Sequence, residues 1–305
     1  MDGTNVQHNV YVGTLPLEWT TAGVGRLGSD SNLDIIVQDM PTGDRMGLLM
    51  NGTLFTNAVW IANITNEWRI ATTGDFKRDG TTTLVLQDTI TGDCTLSFMS
   101  GSAITNSVYL TTLPLSVQIK GNGDFNGDGN LDLVLQNTLT GEVTLQFMKG
   151  LTLGNAVSLG NFPLEWQVAA VGDFNGDSSP DLLFQNTITG DRAISFMNGS
   201  TISNTVAWIS GAILPKEWQV VAAGDFGGYF GNASVPNNGG PPYVELPNGG
   251  SSTTELIHLP GSVSINSIIN GMASEGGNSS SQSQPNNAAV HQKQIARLEV
   301  FTPLE

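Results

Sequence analysis

One cysteine in 305 residues rules out an intrachain disulfide. Cys94 lies in an alternating, strand-like run and reads as a small core side chain. Cations are scarce as well: 11 Lys and Arg face 27 Asp and Glu, a formal charge of −16. A surface of that sign repels phosphate backbones, which argues against nucleic acid as a partner. Charged residues of both signs reach only 12%, about half the usual share. No apolar run approaches the roughly 18 residues of a membrane-spanning helix, so membrane insertion is not expected. Met1-Asp2-Gly3-Thr4 does not read as a secretion signal, so export implies a removed or replaced leader or another route. His8, His258 and His291 do not pair at metal-ligand spacing. Nucleophile elbows, HExxH and phosphate loops are missing too, and catalysis is not expected.

What fills the chain instead is Gly, Asn, Ser and Thr around a repeat. Gly25, Gly74, Gly123 and Gly172 are each 49 apart, as are Gln38, Gln87, Gln136 and Gln185, and Met50, Met99, Met148 and Met197. Trp19, Trp68 and Trp166 fall on the same grid with Val117 in the remaining place, and Trp218 follows after a short insertion. Each unit reads as four strands joined by tight turns. Thr-Gly-acid turns recur at Thr42-Gly43-Asp44, Thr91-Gly92-Asp93, Thr140-Gly141-Glu142 and Thr189-Gly190-Asp191, and Gly there permits positive φ. Runs such as Asp132-Leu133-Val134-Leu135 are apolar on both strand faces, so both faces must be covered. Four-stranded sheets that bury both faces are the blades of a β-propeller, and a 40–50-residue period is what a blade needs.

The expected fold is therefore all-β: a β-propeller of four-stranded antiparallel blades in about five repeats of about 49 residues. A six- or seven-bladed ring completed by the termini or another subunit is the alternative. The units run 19–67, 68–116, 117–165, 166–217 and 218–270. Residues 1–18 resemble the outer strand of a blade and should close the ring or be donated to another subunit. In the degenerate fifth unit, Pro242–Leu246, Thr253–Leu259 and Gly261–Ile268 are expected as second, third and fourth strands. Residues 271–305 form a polar tail, with a candidate last strand around Leu298, Val300 and Phe301.

The first-to-second-strand loops carry the chemistry. Asp124, Asn126, Asp128 and Asp132 present oxygen side chains at positions 1, 3, 5 and 9, with the carbonyl of Asn130 between them. Asp173, Asn175, Asp177, Ser179 through its carbonyl, and Asp181 repeat the set. Hard oxygens at alternate positions of a tight loop suit Ca²⁺, whereas capping of backbone N–H groups by the same carboxylates is the competing reading. The first loop has Arg26 and Gly28 at ligand positions and the second has Lys77 and Thr83, so both should be metal-free. The fifth keeps only Asp225.

Gly-Asp-Phe-Asn-Gly-Asp-Gly-Asn-Leu-Asp-Leu at 123–133, its repetition every 49 residues, and the Met-Asn-Gly turns at Met50 and Met197 resemble the FG-GAP/VCBS repeats of integrin-like β-propellers and their bacterial relatives. The resemblance covers roughly residues 8–270. It implies a calcium-binding propeller, extracellular or at the cell surface, acting in adhesion or ligand binding. On that reading the partner is a protein, a second copy included. A lectin is the alternative, with Tyr11, Trp60, Tyr109 and Trp208 on the outer strands as glycan-contacting residues. Sequons at Asn51, Asn63, Asn198, Asn232 and Asn278 matter only if a glycosylating pathway exports the chain.

Overall fold

The computed structural model describes residues 8–16, 18–52, 54–207, 219–224, 255–259 and 295–302, and every regular element within them is a strand. β1 spans His8–Pro16. Blade 1 is β2 (Trp19–Gly25), β3 (Asp34–Asp39), β4 (Asp44–Asn51) and β5 (Leu54–Asn63). Blade 2 is β6 (Trp68–Gly74), β7 (Thr83–Asp88), β8 (Asp93–Ser100) and β9 (Ala103–Thr112). Blade 3 is β10 (Val117–Gly123), β11 (Asp132–Asn137), β12 (Glu142–Lys149) and β13 (Thr152–Asn161). Blade 4 is β14 (Trp166–Gly172), β15 (Asp181–Asn186), β16 (Arg192–Asn198) and β17 (Thr201–Ala207). β18 (Gln219–Gly224), β19 (Glu255–Leu259) and β20 (Ile295–Thr302) follow. Each blade is an antiparallel four-stranded sheet in sequence order. First strands of successive sheets lie side by side, β2 on β6, β6 on β10, β10 on β14, β14 on β18 and β18 on β2, so the sheets form a ring. The architecture is the propeller that the repeat implies.

A fifth four-stranded sheet has the order β1-β20-β19-β18. β1 pairs antiparallel with β20, from His8↔Thr302 to Pro16↔Ile295. The N-terminal strand thus ends up beside a segment from the far end of the chain. Its expected competitor, Val263–Ile268, lies outside the described residues, as does Pro242–Leu246. β19 pairs directly with β18 and takes the second place in the sheet, not the third. The misplacement has a physical cause: residues 227–241 carry no repeat markers, so the 49-residue phase cannot be propagated across them.

Second strands are covered on both faces, as their composition requires. Every residue of β3, β7 and β15 is buried. The apolar clusters lie between sheets. Ile36 of blade 1 packs with Ile70 and Leu84 of blade 2. Val85 and Leu96 pack with Ile119 and Leu133, and Val134 and Leu145 with Val168 and Leu182. Leu183 and Ile194 of blade 4 meet Val220 of the fifth sheet, whose Leu15 packs with Trp19 and Ile35 of blade 1. Cys94 is a fully buried member of this core.

The glutamines of the grid fasten these interfaces. At the blade 3–4 boundary, Gln136 Nε2 donates to the Trp166 carbonyl (2.9 Å) and its Oε1 accepts from Val168 N–H (2.9 Å). Gln87 does the same to the Val117 carbonyl and Ile119 N–H (2.7 and 3.2 Å). Gln38 grips both backbone groups of Ile70, and Gln185 accepts from Val220 N–H. Each side chain pairs with the next blade's first strand as one more strand residue would. Gln136 is wholly buried. Gln136→Leu keeps the volume and strands a buried donor and a buried acceptor, which should cost on the order of 2–4 kcal/mol. Denaturant melts check this, and an unchanged midpoint would show the clamp to be dispensable.

Candidate functional site

In a sheet of sequential antiparallel strands, the first-to-second and third-to-fourth connections share one end, and the other connections share the opposite end. The acidic loops therefore gather at one end of the ring, and those of blades 1 and 3 lie beside the next blade's hairpin turn. A Cβ added at Gly199 would sit 3.4 Å from the Phe125 carbonyl.

The two ligand-rich loops match bond for bond. Asp124 Oδ1 accepts from Gly127 and Asp128 N–H (2.8 and 3.1 Å) and Oδ2 from Gly129 N–H (2.7 Å). Asp173 accepts likewise from Gly176, Asp177 and Ser178. Asn126 Oδ1 accepts from Asp128 N–H, and Asp128 Oδ1 from Asn130 N–H. Asn175, Asp177 and Ser179 repeat the pattern. The chain turns back through left-handed backbone: Gly127 and Gly129 have φ of 73° and 82°, and Ser178 takes the place of Gly129 in the other loop at φ 69°.

The position-nine carboxylates face inward. Asp132 is fully buried. Its Oδ2 accepts from Phe125 N–H (3.0 Å) and its Oδ1 from Met148 N–H (2.9 Å), which ties the loop to the end of β12. Asp181 joins Phe174 to Met197 in the same way. Asp34 accepts from Leu27, Gly28 and Met50 in the loop where Arg26 and Gly28 replace two of the ligand residues. This residue therefore has a backbone-fastening role whether or not a cation is near. Burial, opposed by these hydrogen bonds and reinforced by neighbouring carboxylates, pushes Asp132 up to about 6 and Asp181 up to about 7. A carboxyl whose pKa rises on folding is costly to the fold when ionised. That cost is present at pH 8 and is relieved as pH falls through 7 and 6.

The donor set fits a hard cation in chemistry, being all carboxylate and amide oxygens at alternate positions. Among the described residues no three His, Cys, Asp or Glu side chains gather closely enough to hold a metal by themselves. Amide and carbonyl oxygens would have to complete either site. In the second loop Lys77 Nζ lies 2.6 Å from Asp79 Oδ2 and supplies a positive charge of its own.

Of the aromatics, Trp60 is 43% exposed opposite Met46, and Tyr109 is 61% exposed opposite Thr95. Tyr109 hydroxyl shares a hydrogen bond with Thr112 Oγ1 at 2.7 Å. The side chains of Tyr11 and Trp208 lie outside the described residues.

Sequence reasoning missed the opposite end of the ring. There Ile90, Leu139 and Ile188 are 67%, 74% and 73% exposed. Each sits two residues after an Asp or Asn whose Oδ1 accepts its N–H: Asp88, Asn137 and Asn186 (2.7, 2.9 and 2.9 Å). The turn then closes on glycine. Gly141 has φ 74°, and a Cβ there would come 1.8 Å from the Phe162 carbonyl. Leu115 and Leu164 stand exposed on the connections that lead into blades 3 and 4. Those connections are bonded to the turns through Thr138 N–H to the Ser116 carbonyl and Thr187 N–H to the Glu165 carbonyl. The signal was available, since 90, 139 and 188 are 49 apart.

Residues 124–184 match the FG-GAP-like repeat family model. The matched span contains both ligand-rich loops and the blade boundary between them. No curated protein matches the chain. Among solved structures, the Photorhabdus luminescens Tc holotoxin pore is similar at 12% identity over 96% of this chain and 14% of its own, with a TM-score of 0.36. Kuenenia stuttgartiensis hydrazine synthase is similar at 9% identity over 82% and 58%, TM-score 0.37. The V. cholerae biofilm matrix protein Bap1 is similar at 13% identity over 67% and 42%, TM-score 0.28. The chain thus spans a seventh of the first and just over half of the second. Likenesses this distant carry no functional argument.

Asp34→Ala separates fastening from metal binding. It leaves Leu27, Gly28 and Met50 N–H groups without an acceptor and should cost on the order of 3 kcal/mol. The loss should be equal with calcium or EDTA present. A calcium-dependent loss would give Asp34 a metal role instead.

Proposed function

We propose that this chain is a non-enzymatic binding propeller that works outside the cell through protein contacts, a second copy of itself included. One observation carries the reading: apolar side chains stand exposed at equivalent turns of three successive blades, where the Asx-capped backbone needs no apolar residue. Single exposed apolar residues are ordinary on a surface, but a set repeated in phase at one end of a ring suggests a contact face. A structural or adhesive role in an assembly follows from that face.

A lectin is the second reading, favoured by Trp60 and Tyr109 on neighbouring outer strands, with a hydroxyl beside the tyrosine. A glycan-array screen run alongside light scattering separates the two. Assembly, or binding of protein, without glycan retention is expected. Glycan retention by a monomer, lost in Trp60→Ala and Tyr109→Ala, would establish the lectin.

Calcium belongs to the proposal as a stabiliser. Asp124, Asn126 and Asp128 with the Asn130 carbonyl would hold one ion, and Asp173, Asn175 and Asp177 with the Ser179 carbonyl a second. Asp132 and Asp181 stand behind them. The ions would neutralise the loop carboxylates that add to the raised pKa of Asp132 and Asp181. Extracellular modules bind calcium with Kd of roughly 10⁻⁴–10⁻³ M. At about ten times Kd each site adds about 1.4 kcal/mol. A melting temperature raised by calcium and lowered by EDTA is expected. An unchanged temperature, with no calcium in the purified protein, would remove calcium from the account.

A further inference from the structure

The end that carries Ile90, Leu139 and Ile188 also has a one-sided charge. The same turns and connections bear Glu67, Asp93, Glu142, Glu165 and Asp191. Glu67 and Asp191 are exposed and the other three are partly exposed. The described cations nearest this end point inward. Arg45 is fully buried and donates through Nη1 to the Asp39 and Asp44 carbonyls. Arg192 donates to the Gly190 carbonyl, and Arg69 to Gln87 and the Ile119 carbonyl. Burial lowers the pKa of all three guanidinium groups. The remaining described cations on connecting loops and turns, Arg26, Lys77, Arg78 and Lys149, belong to the opposite end. Apolar tips flanked by carboxylates, with no exposed described cation among them, form a surface of defined chemistry.

We propose that this end docks a basic polypeptide segment, with apolar side chains seated among Ile90, Leu115, Leu139, Leu164 and Ile188 and Lys or Arg side chains against the carboxylates. The inference rests on the protein-contact reading above and narrows its partner. Charge complementarity selects the occupant. A second copy presenting this same end would set carboxylates against carboxylates, in a chain whose formal charge is −16. An anionic lipid surface would be repelled for the same reason.

Fluorescence anisotropy with the full chain provides the test. One probe is a synthetic 18-residue amphipathic helix with leucine on one face and lysine on the other, and its control replaces every lysine by glutamine. The lysine helix should bind at least tenfold more tightly than the control and weaken as salt is raised. The triple variant Ile90→Ser, Leu139→Ser, Ile188→Ser should lose at least tenfold in affinity while its circular dichroism and melting remain those of the parent. Glu142→Gln with Asp191→Asn should lose several-fold and flatten the salt dependence. Equal binding of the two helices, both lost in the triple variant, would overturn the basic partner and leave the contact face standing. A dimer seen by light scattering and lost in the triple variant would do the same, with a second copy as the occupant. Lysine-helix binding untouched by the triple variant would overturn the docking site itself.

Discussion

The glutamine on the second strand of each blade is the interaction on which the ring depends. A propeller blade is a sheet without a partner sheet of its own, and its two faces are buried only if neighbouring blades sit in fixed register. Dispersion and apolar burial are not directional and do not set that register. The amide of Gln38, Gln87, Gln136 and Gln185 does, because it meets a backbone N–H on the next blade's first strand, and Gln38, Gln87 and Gln136 donate to a carbonyl there as well. A shift of one residue would leave those groups unpaired in a dry interface, a penalty of about 1–3 kcal/mol for each. The 49-residue spacing of the glutamines and the identical course of the blades are two views of one constraint.

Much of this was legible in the chain. The repeat markers, the two-faced apolar second strands and the glycine turns together specify four-stranded blades, and the four contiguous units fold as read. The chemistry of the markers was less visible. Spacing reveals that Gln136 recurs but not that its amide crosses to Val168. Likewise Asp132 and Asp181 read as cation ligands because carboxylates at alternate positions suggest a cation, and Asp34 reads as the remnant of a metal-free loop. Their burial and their bonds to Met50, Met148 and Met197 depend on a hairpin 16 residues further on, which no local pattern announces. The methionines of the grid turn out to be the donors. The apolar turn tips escaped notice because an isolated Ile or Leu in a polar turn is unremarkable until its exposure is known.

The acidic loops put one set of residues to two uses. Each loop first needs its carboxylates to hold N–H groups in a turn too tight for backbone partners. Loops one and two keep that arrangement around Asp30, Asp34, Asp75 and Asp79 although Arg26 and Lys77 sit among them. Loops three and four add further carboxylates to the same frame, and in loop three the Arg78 guanidinium of the neighbouring blade lies beside Gly129 and Asp128. Affinity for a cation in such a frame is an elaboration of a turn that already folds, which is how some siblings can lack ligands while the blades remain alike.

The closing sheet places residues 8–16 beside residues 295–302. During synthesis, blades 1 to 4 can form as each emerges, since their strands are contiguous in sequence. The last sheet cannot, because its first-made strand must wait until residues 295–302 have left the ribosome. At roughly 5–20 residues per second the wait is tens of seconds at most. Through that interval the outward faces of blades 1 and 4 lack their neighbour. A nascent chain of this design is therefore exposed to chaperones and proteases at one defined seam until β20 joins β1 to β19.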